Sequence, residues 1–174
     1  ILEGGVELGP CTVCGILKRK IINVVSRELG ADKVATAHNL DDWAQTVVIN
    51  MMRGTLERLL SLDPKPKKIH PKLVPRIAPF FNVREEEIAL YAYLSGFDFS
   101  GKNCPHIRTS MRYKVRLFLN AMEREHPGIK YAILGIHYRI RKMTEVPVRV
   151  RECKICGEPT SSEICQACAI LERG

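Results

Sequence analysis

The sequence lacks long apolar runs and any recognisable export signal. Its 174 residues contain no stretch of about 18 consecutive apolar residues, the length that a membrane-spanning helix requires. The first residues also lack the basic, apolar and small-residue series of a secretory signal. A hydrophobic content of 45% is ordinary for a globular protein with a core, so disorder is not expected. We predict a soluble, cytoplasmic protein with no membrane partner.

An initiating methionine is also lacking. The first residue is Ile1, and the opening letters ILEGGVELG look like the end of a loop. We therefore interpret the sequence as a fragment of a longer chain. Its length is enough for one ordinary domain with a small appendage.

Acidic residues are few relative to basic ones. The sequence has 19 Asp and Glu against 27 Lys and Arg, a net charge of +8. A positive field raises the encounter rate with nucleic acid, so this excess favours a polyanionic partner. A generally basic protein without such a partner would have the same composition, and that alternative stays open.

The first half of the sequence alternates between helix and strand patterns. Apolar residues recur at helical spacing over 12–29, and Gly30 follows in a capping position. The short apolar segment 32–38 fits a strand, and a second helix follows with Asn39 as its cap and Gly54 at its end. This order predicts an α/β fold with a doubly wound parallel sheet and flanking helices.

The second half is predicted to be mainly helical. Residues 60–80 carry five prolines among several lysines and are predicted to be a basic loop. Helices are expected from Asn82 to Gly96, from about Arg108 to Glu125, and after the turn at 127–128. The composition changes at residue 147, so we predict two domains, 1–146 and 147–174.

The second domain carries four cysteines in the pattern C-x2-C-x8-C-x2-C. They are Cys153, Cys156, Cys165 and Cys168. Two CxxC pairs at this spacing let four thiolates converge on one Zn2+, and a closed four-thiolate site is structural rather than catalytic. We predict a small zinc ribbon.

Three cysteines, Cys11, Cys14 and Cys104, remain outside this set. Three thiolates suit a [4Fe-4S] cluster with one iron free of a protein ligand. A CxxC at the start of a helix also suits thiol-disulfide chemistry. Burial or zinc binding is a third interpretation, and the spacing leaves all three open.

Several segments in order resemble one family. The segments GPCTVCGILKRK, TAHNLDDWAQTVVINMMRG and GKNCPHIRTSMR, with the terminal ribbon, resemble the ATP-dependent tRNA 2-thiolation enzymes of the TtuA and TtcA superfamily, which are PP-loop sulfurtransferases. The ribbon indicates the TtuA-like branch. The resemblance extends over nearly the whole sequence.

The resemblance implies a reaction, cofactors and partners. ATP with Mg2+ would adenylate the C2 oxygen of a tRNA uridine, which sulfur then replaces. Cysteines matching Cys11, Cys14 and Cys104 hold a [4Fe-4S] cluster in that family. The TtuA-like branch modifies 5-methyluridine in the T-loop and takes sulfur from a ubiquitin-like thiocarboxylated carrier protein, and we include a homodimer among the expected assemblies.

The same resemblance implies roles for three further residues. Lys18 matches a lysine that would neutralise phosphate charge, and Asp42 matches an aspartate that would act as a base or orient the nucleotide. Ala37 stands at the expected nucleotide site, where the family usually has glycine. Ordinary interpretations also exist, because Lys18 fits a solvated helix cation and Asp42 fits a first-turn acid.

The family's phosphate loop, a Ser-Gly-Gly-x-Asp-Ser run, is absent from the sequence, as is its N-terminal zinc finger. We therefore expect a C-terminal portion of an enzyme, one that alone does not activate ATP efficiently. Basic residues after Cys104, namely Arg108, Arg112 and Arg116, are predicted to bind the tRNA backbone, although a solvated helix face would look the same. A non-catalytic tRNA-binding zinc-ribbon module with a vestigial cysteine trio is the alternative function.

Overall fold

The computed structural model describes residues 8–99, 104–143 and 150–172. It divides the chain into two compact units. Unit 1 combines Ile1–Val34, Lys65–Ile77 and Pro147–Gly174, and unit 2 combines Ala35–Pro64 and Ala78–Val146. The predicted domain division at 146/147 stays a prediction, since that boundary lies outside the described residues. None of the described helices is both long enough and apolar enough to cross a bilayer.

Unit 1 contains one long helix and the cysteine-rich segment. Its elements are α1 (Pro10–Glu28), β2 (Arg76–Ile77), β3 (Arg151–Glu152), β4 (Pro159–Thr160) and α7 (Gln166–Leu171). Strands β3 and β4 pair antiparallel, with Arg151 opposite Thr160. Ile16 of α1 packs in one apolar cluster with Cys153, Cys165, Ala167 and Cys168. The predicted first helix is confirmed, and it begins two residues earlier than predicted because Pro10 is well suited to a first helical position.

Strand β1 (Val34–Ala35) joins the two units along the chain and pairs with β2 in a two-stranded sheet. Its Val34 amide donates to the Pro75 carbonyl at 2.9 Å. This pairing corrects the prediction that 60–80 is entirely loop. The segment also contains the end of a short helix, α3 (Leu56–Leu60).

Unit 2 is built from helices. Those that pack against α2 (Leu40–Met52) are α3, α5 (Met111–Glu125) and α6 (Ile129–Met143), and α4 (Glu85–Leu94) also belongs to this unit. Two apolar clusters form the core, one around Leu40 and Leu134 and the other around Ala44 and Leu119. Helix α2 was predicted, with Asn39 as its cap, and this is confirmed.

Helix α4 begins at Glu85, so the predicted start at Asn82 is wrong. The amides of Phe81 and Val83 donate to the carbonyls of Ala78 and Phe80, which makes this stretch a series of turns. Arg84 then takes the capping position, and its amide donates to the Glu87 carboxylate at 2.9 Å.

A buried ion pair links α2 to α6 in unit 2. Lys130 and Asp41 are in contact, and the other carboxylate oxygen of Asp41 accepts from the Glu85 amide at 2.8 Å. Lys130 also donates to Asn120 at 2.8 Å. Both charges are nearly fully buried, so removing either partner would leave an unpaired charge in the core.

Candidate functional site

The four ribbon cysteines converge in unit 1. Their Sγ atoms all lie within 4.8 Å of one another, and those of Cys156 and Cys165 are 3.7 Å apart. Four sulfurs around a zinc at about 2.3 Å would be about 3.8 Å apart along each edge of the tetrahedron. The donor set and its spacing therefore fit a zinc ion bound by four thiolates.

Backbone amides point at these sulfurs. The Cys165 amide donates to Cys153 Sγ at 3.2 Å, and the Cys168 amide donates to Cys165 Sγ at 3.4 Å. Hydrogen bonds from the backbone, first that of Cys156 and then that of Cys165, lower the pKa of the Cys153 thiol to about 6. Burial raises the pKa of Cys168 to about 12. A metal must displace the Cys168 proton, so metal affinity is expected to fall as the pH falls.

One face of α1 is attached to this ribbon. Its residues are spaced by four, three and four positions, and each contacts the cysteine-rich segment or Lys72: Ile16, Lys20, Asn23 and Arg27. Ile16 packs against the cysteines, and Lys20 Nζ donates to Cys168 Sγ at 3.7 Å. At this spacing the side chains lie along one face of a helix.

Asn23 and Arg27 complete that attachment through Glu158. Asn23 Nδ2 donates to the Glu158 carboxylate at 3.2 Å, and Arg27 Nη1 donates to it at 3.1 Å. Arg27 is the leading cause that lowers the pKa of Glu158. Asn23 also accepts from the Val74 amide and donates to the Lys72 carbonyl. Although Asn23 is buried and polar, its side chain is fully used.

Lys20 faces several sulfurs. Burial alone would lower its pKa, but a hydrogen bond with Cys156 and attraction to Cys156, Cys168 and Cys165 together raise the pKa above its ordinary value. The side chain therefore carries a positive charge beside these sulfurs, where it would offset part of the negative charge of metal-bound thiolates.

The opposite face of α1 carries three of the residues predicted from the family resemblance. Cys11, Cys14 and Lys18 are all exposed. At about 100° per residue they lie about 180° around the helix from the attached face. The structure thus brings this predicted group together on one exposed stripe in unit 1.

Cys104 belongs to unit 2, where it precedes a short 3-10 helix, Ile107–Thr109. Its carbonyl accepts from the Ile107 amide at 3.0 Å, and its side chain is exposed. Arg108 in the same turn is exposed. The assignment of Cys104 to a shared ligand set with Cys11 and Cys14 stays a prediction.

Ala37 lies at the wall of a pocket in unit 2. The pocket has a volume of about 250 Å3, and its lining includes Asn39, Phe80, Glu85 and Ile88. Ala37 follows the end of β1 by two residues. This is the kind of position at which ligands of open α/β sheets bind, beyond the carboxyl end of a strand.

Asp42 lies on the first turn of α2 and is about one-third exposed. Its amide donates to the Asn39 side chain at 3.0 Å, and its carboxylate accepts from the Asn39 amide at 3.3 Å. Asp42 therefore fulfils the first-turn role that its sequence position also suggests. Its predicted nucleotide role stays a prediction.

Two of the three predicted RNA-binding arginines already have acceptors within unit 2. Arg112 donates to Thr46 Oγ1 at 2.9 Å and to Gln45 Oε1 at 3.3 Å. Arg116 pairs with Glu85 at 3.1 Å. The side chain of Arg108 shows no hydrogen bond or ion pair within the part of the chain that the structure describes, and the predicted RNA-binding role of all three arginines stays a prediction.

Sequence reasoning missed the attachment of α1 to the ribbon. Lys20, Asn23 and Arg27 looked like ordinary polar residues of an amphipathic helix. The sequence does contain one signal for this attachment. Ile16, Lys20, Asn23 and Arg27 are spaced so that they share one face of the helix, and a purely apolar face would not include an asparagine.

Comparisons with known proteins show which proteins this chain is similar to. No family model matches the chain. The solved structure of "U34-tRNA thiolase NcsA from Methanococcus maripaludis with its [4Fe-4S] cluster" matches 99% of this chain and 55% of that chain, with a TM-score of 0.80 and 35% identity. The tRNA 2-thiolation protein NcsA of Haloferax volcanii is 30% identical over 178 residues, covering 95% of this chain and 56% of that protein. The tRNA-5-methyluridine(54) 2-sulfurtransferase of Thermus thermophilus is 37% identical over 166 residues, which cover 93% of this chain and 51% of that protein.

The chain is similar over nearly its whole length to the TtuA/NcsA tRNA 2-thiolation proteins. This confirms the family resemblance, and the structural match together with the four-cysteine group confirms the predicted α/β fold with a ribbon. The chain spans about half the length of the curated TtuA/NcsA relatives it matches.

Proposed function

We propose that this chain is part of an enzyme that thiolates a tRNA uridine at C2. ATP with Mg2+ adenylates the C2 oxygen, and a sulfur atom then displaces the adenylated oxygen, so that AMP leaves with that oxygen. The observation that supports this most is the 35% identity, over 99% of the chain, to a U34-tRNA thiolase. The single exposed stripe of Cys11, Cys14 and Lys18 agrees with such a reaction.

We propose that Cys11, Cys14 and Cys104 are the ligands of a [4Fe-4S] cluster. A related structure is named with such a cluster, and thiolates are its usual ligands. Three cysteines leave one iron without a protein ligand, and the chemistry the cluster supplies is to hold the sulfur that is transferred. All three thiols are exposed, as ligands for an added cluster need to be.

Lys18 and Asp42 are proposed to act on the nucleotide. Lys18 follows Cys14 by one turn and would neutralise charge that develops on the phosphates. Asp42 would orient the nucleotide, and Ala37 would contact it from the wall of the pocket. We place zinc in the ribbon as a structural ion, in accord with its closed set of four sulfurs.

The proposed substrate is 5-methyluridine at position 54 in the tRNA T-loop. The relatives named for that nucleotide from Thermus thermophilus and Thermotoga maritima are both 37% identical to this chain, slightly more than the 35% of the Methanococcus maripaludis U34-tRNA thiolase and the 30% of the Haloferax volcanii NcsA, and that from Pyrococcus horikoshii is 32% identical. A ubiquitin-like thiocarboxylated protein is the proposed sulfur donor, the cytoplasm the proposed location, and a homodimer the proposed assembly.

The ligand assignment is tested by metal analysis after anaerobic purification of the chain. We expect a brown protein with about four irons and one zinc. Cys11→Ser, Cys14→Ser and Cys104→Ser should each remove iron and keep zinc, whereas Cys156→Ser should remove zinc. Colourless protein that holds zinc alone would instead favour the alternative of a non-catalytic tRNA-binding module.

The substrate is tested in cells whose own gene carries Cys104→Ser. Mass spectrometry of nucleosides from their tRNA should show loss of the 2-thiolated nucleoside at position 54, while that at position 34 is kept. The reverse pattern would assign position 34 and overturn the proposed substrate.

A further inference from the structure

Lys20 is a cation of unit 1 whose role the thiolation chemistry does not explain. It is on α1, the helix that presents Cys11 and Cys14, yet its Nζ lies 3.7 Å from Cys168 Sγ. It belongs to the face of α1 that is attached to the ribbon. Ile16 of the same face lies in one apolar cluster with three of the four ribbon cysteines.

A zinc ion with four thiolates carries a net charge of −2. Amides from the ribbon itself donate to two of its sulfurs, those of Cys153 and Cys165. Cys168 Sγ receives the ammonium of Lys20, which comes from 148 residues earlier in the chain. Donors around a metal site orient its ligands and tune its affinity, and their loss typically costs about 10-fold to 100-fold in affinity.

We propose that Lys20 is a positioning residue of the four-cysteine metal centre, and that the bound metal in turn holds α1, the helix that presents Cys11 and Cys14. The second part rests on the proposed function, since it gives the ribbon metal an effect on the cluster ligands. Coupling through α1 needs no movement of one unit against the other, because helix and ribbon both belong to unit 1.

Two further contacts explain why the effect of the ribbon metal would extend along α1. Asn23 and Arg27 both reach Glu158, which lies between the two cysteine pairs. The ribbon therefore contacts three successive turns of α1, and among the polar contacts Lys20 is the one that reaches a cysteine sulfur. Loss of the metal would release the turn that contains Lys20 before the turns that are attached through Glu158.

The first measurement is zinc affinity, by competition with a chromophoric chelator, for the full chain and three variants. Lys20→Met should weaken zinc binding about 10-fold. Lys20→Arg, which keeps a cationic donor, should stay within about threefold of wild type on the same scale. Lys33→Met is the matched control, because Lys33 is an exposed lysine of the same unit whose side chain has no hydrogen bond or ion pair among the described residues. This variant should bind zinc like the wild type.

The second measurement is hydrogen exchange of the α1 amides with zinc bound. Lys20→Met should speed exchange around residues 16–24, while exchange in α2 stays unchanged. Lys20→Gln, which keeps a polar side chain without the charge, replaces Lys20→Met if circular dichroism shows that the methionine variant does not fold. Zinc affinity within twofold of wild type, or α1 exchange that is unchanged, would overturn the proposal.

Failure of the proposed function would look different. If no variant and no wild-type preparation binds iron or supports thiolation, the cluster assignment fails, while the effects of Lys20 on zinc affinity and on exchange are still measurable. If iron is bound normally but Lys20→Met changes neither zinc affinity nor exchange, only the inference about Lys20 fails.

Discussion

His137 is a single buried residue that makes the stability of unit 2 depend on pH. Its side chain is 1% exposed, and Nε2 donates to the Leu59 carbonyl at 2.9 Å. The other ring nitrogen, Nδ1, has no partner within the part of the chain that the structure describes. Protonating Nδ1 would create a buried charge near Arg141. Burial is the main reason why the pKa of His137 lies below its ordinary value, although the Leu59 carbonyl opposes the shift.

The first prediction concerns acid stability. The unfolded chain binds a proton at His137 with an ordinary pKa of about 6.5, whereas the folded chain binds it only at lower pH. Stability from neutral His137 is therefore present above about pH 6.5 and decreases as the pH falls below that value, by at most about 1.4 kcal/mol per pH unit. Urea unfolding between pH 5 and 7.5, followed by the fluorescence of Trp43, the chain's one tryptophan, reports on unit 2.

His137→Gln keeps a donor for Leu59 but removes the titrating group, so it should flatten the pH dependence. His126→Gln is the control, because His126 is exposed at the end of α5. Equal slopes for wild type and His137→Gln would contradict this explanation.

At the scale of the element, α2 shows how local sequence fixes the start of a helix. Asn39 accepts from the Asp42 amide, and Asp42 accepts from the Asn39 amide, so two otherwise unpaired donors are satisfied. The Leu40 amide donates instead to the Val83 carbonyl at 2.9 Å. The first turn of α2 thus combines local caps with one distant contact.

The second prediction is that Asn39→Ala lowers the free energy of unfolding of unit 2 by about 1 kcal/mol, the usual contribution of a side-chain cap. Trp43 fluorescence during urea unfolding measures it. Asn82→Ala is the matched control, since the exposed Asn82 uses its backbone carbonyl to accept from Tyr131. A loss of the same size in both variants would argue against the cap.

Sequence reasoning was accurate for α1 and α2 because their caps and apolar spacing are local signals. It failed at the start of α4, because the residues before Glu85 form turns that depend on carbonyls from 78–80. Strand β2 was missed because its two residues become a strand only by pairing with β1. The four ribbon cysteines were predictable from spacing, whereas the contact of Lys20 with them depends on tertiary packing between distant segments.

At the scale of the whole molecule, the net charge of +8 is a property that single contacts do not explain. Some of the basic side chains already have partners within their own unit. Arg141 is in contact with Asp63, and Lys72 pairs with Glu152 at 2.8 Å. Arg112 and Arg116 are also held by acceptors of unit 2. Counting basic residues therefore overestimates the number available for a nucleic acid.

The third prediction separates these arginines by the salt dependence of tRNA binding. A lysine or arginine that neutralises one phosphate contributes about 0.7 to 0.9 to the slope of log affinity against log salt. Arg108→Ala should reduce the slope by about that amount without changing thermal stability. Arg112→Ala should also lower the melting temperature, because it removes hydrogen bonds to α2. Arg58→Ala, an exposed arginine on α3, is the control and should keep the wild-type slope. An unchanged slope in Arg108→Ala, Arg112→Ala and Arg116→Ala alike would show that these residues form a solvated basic face rather than an RNA contact.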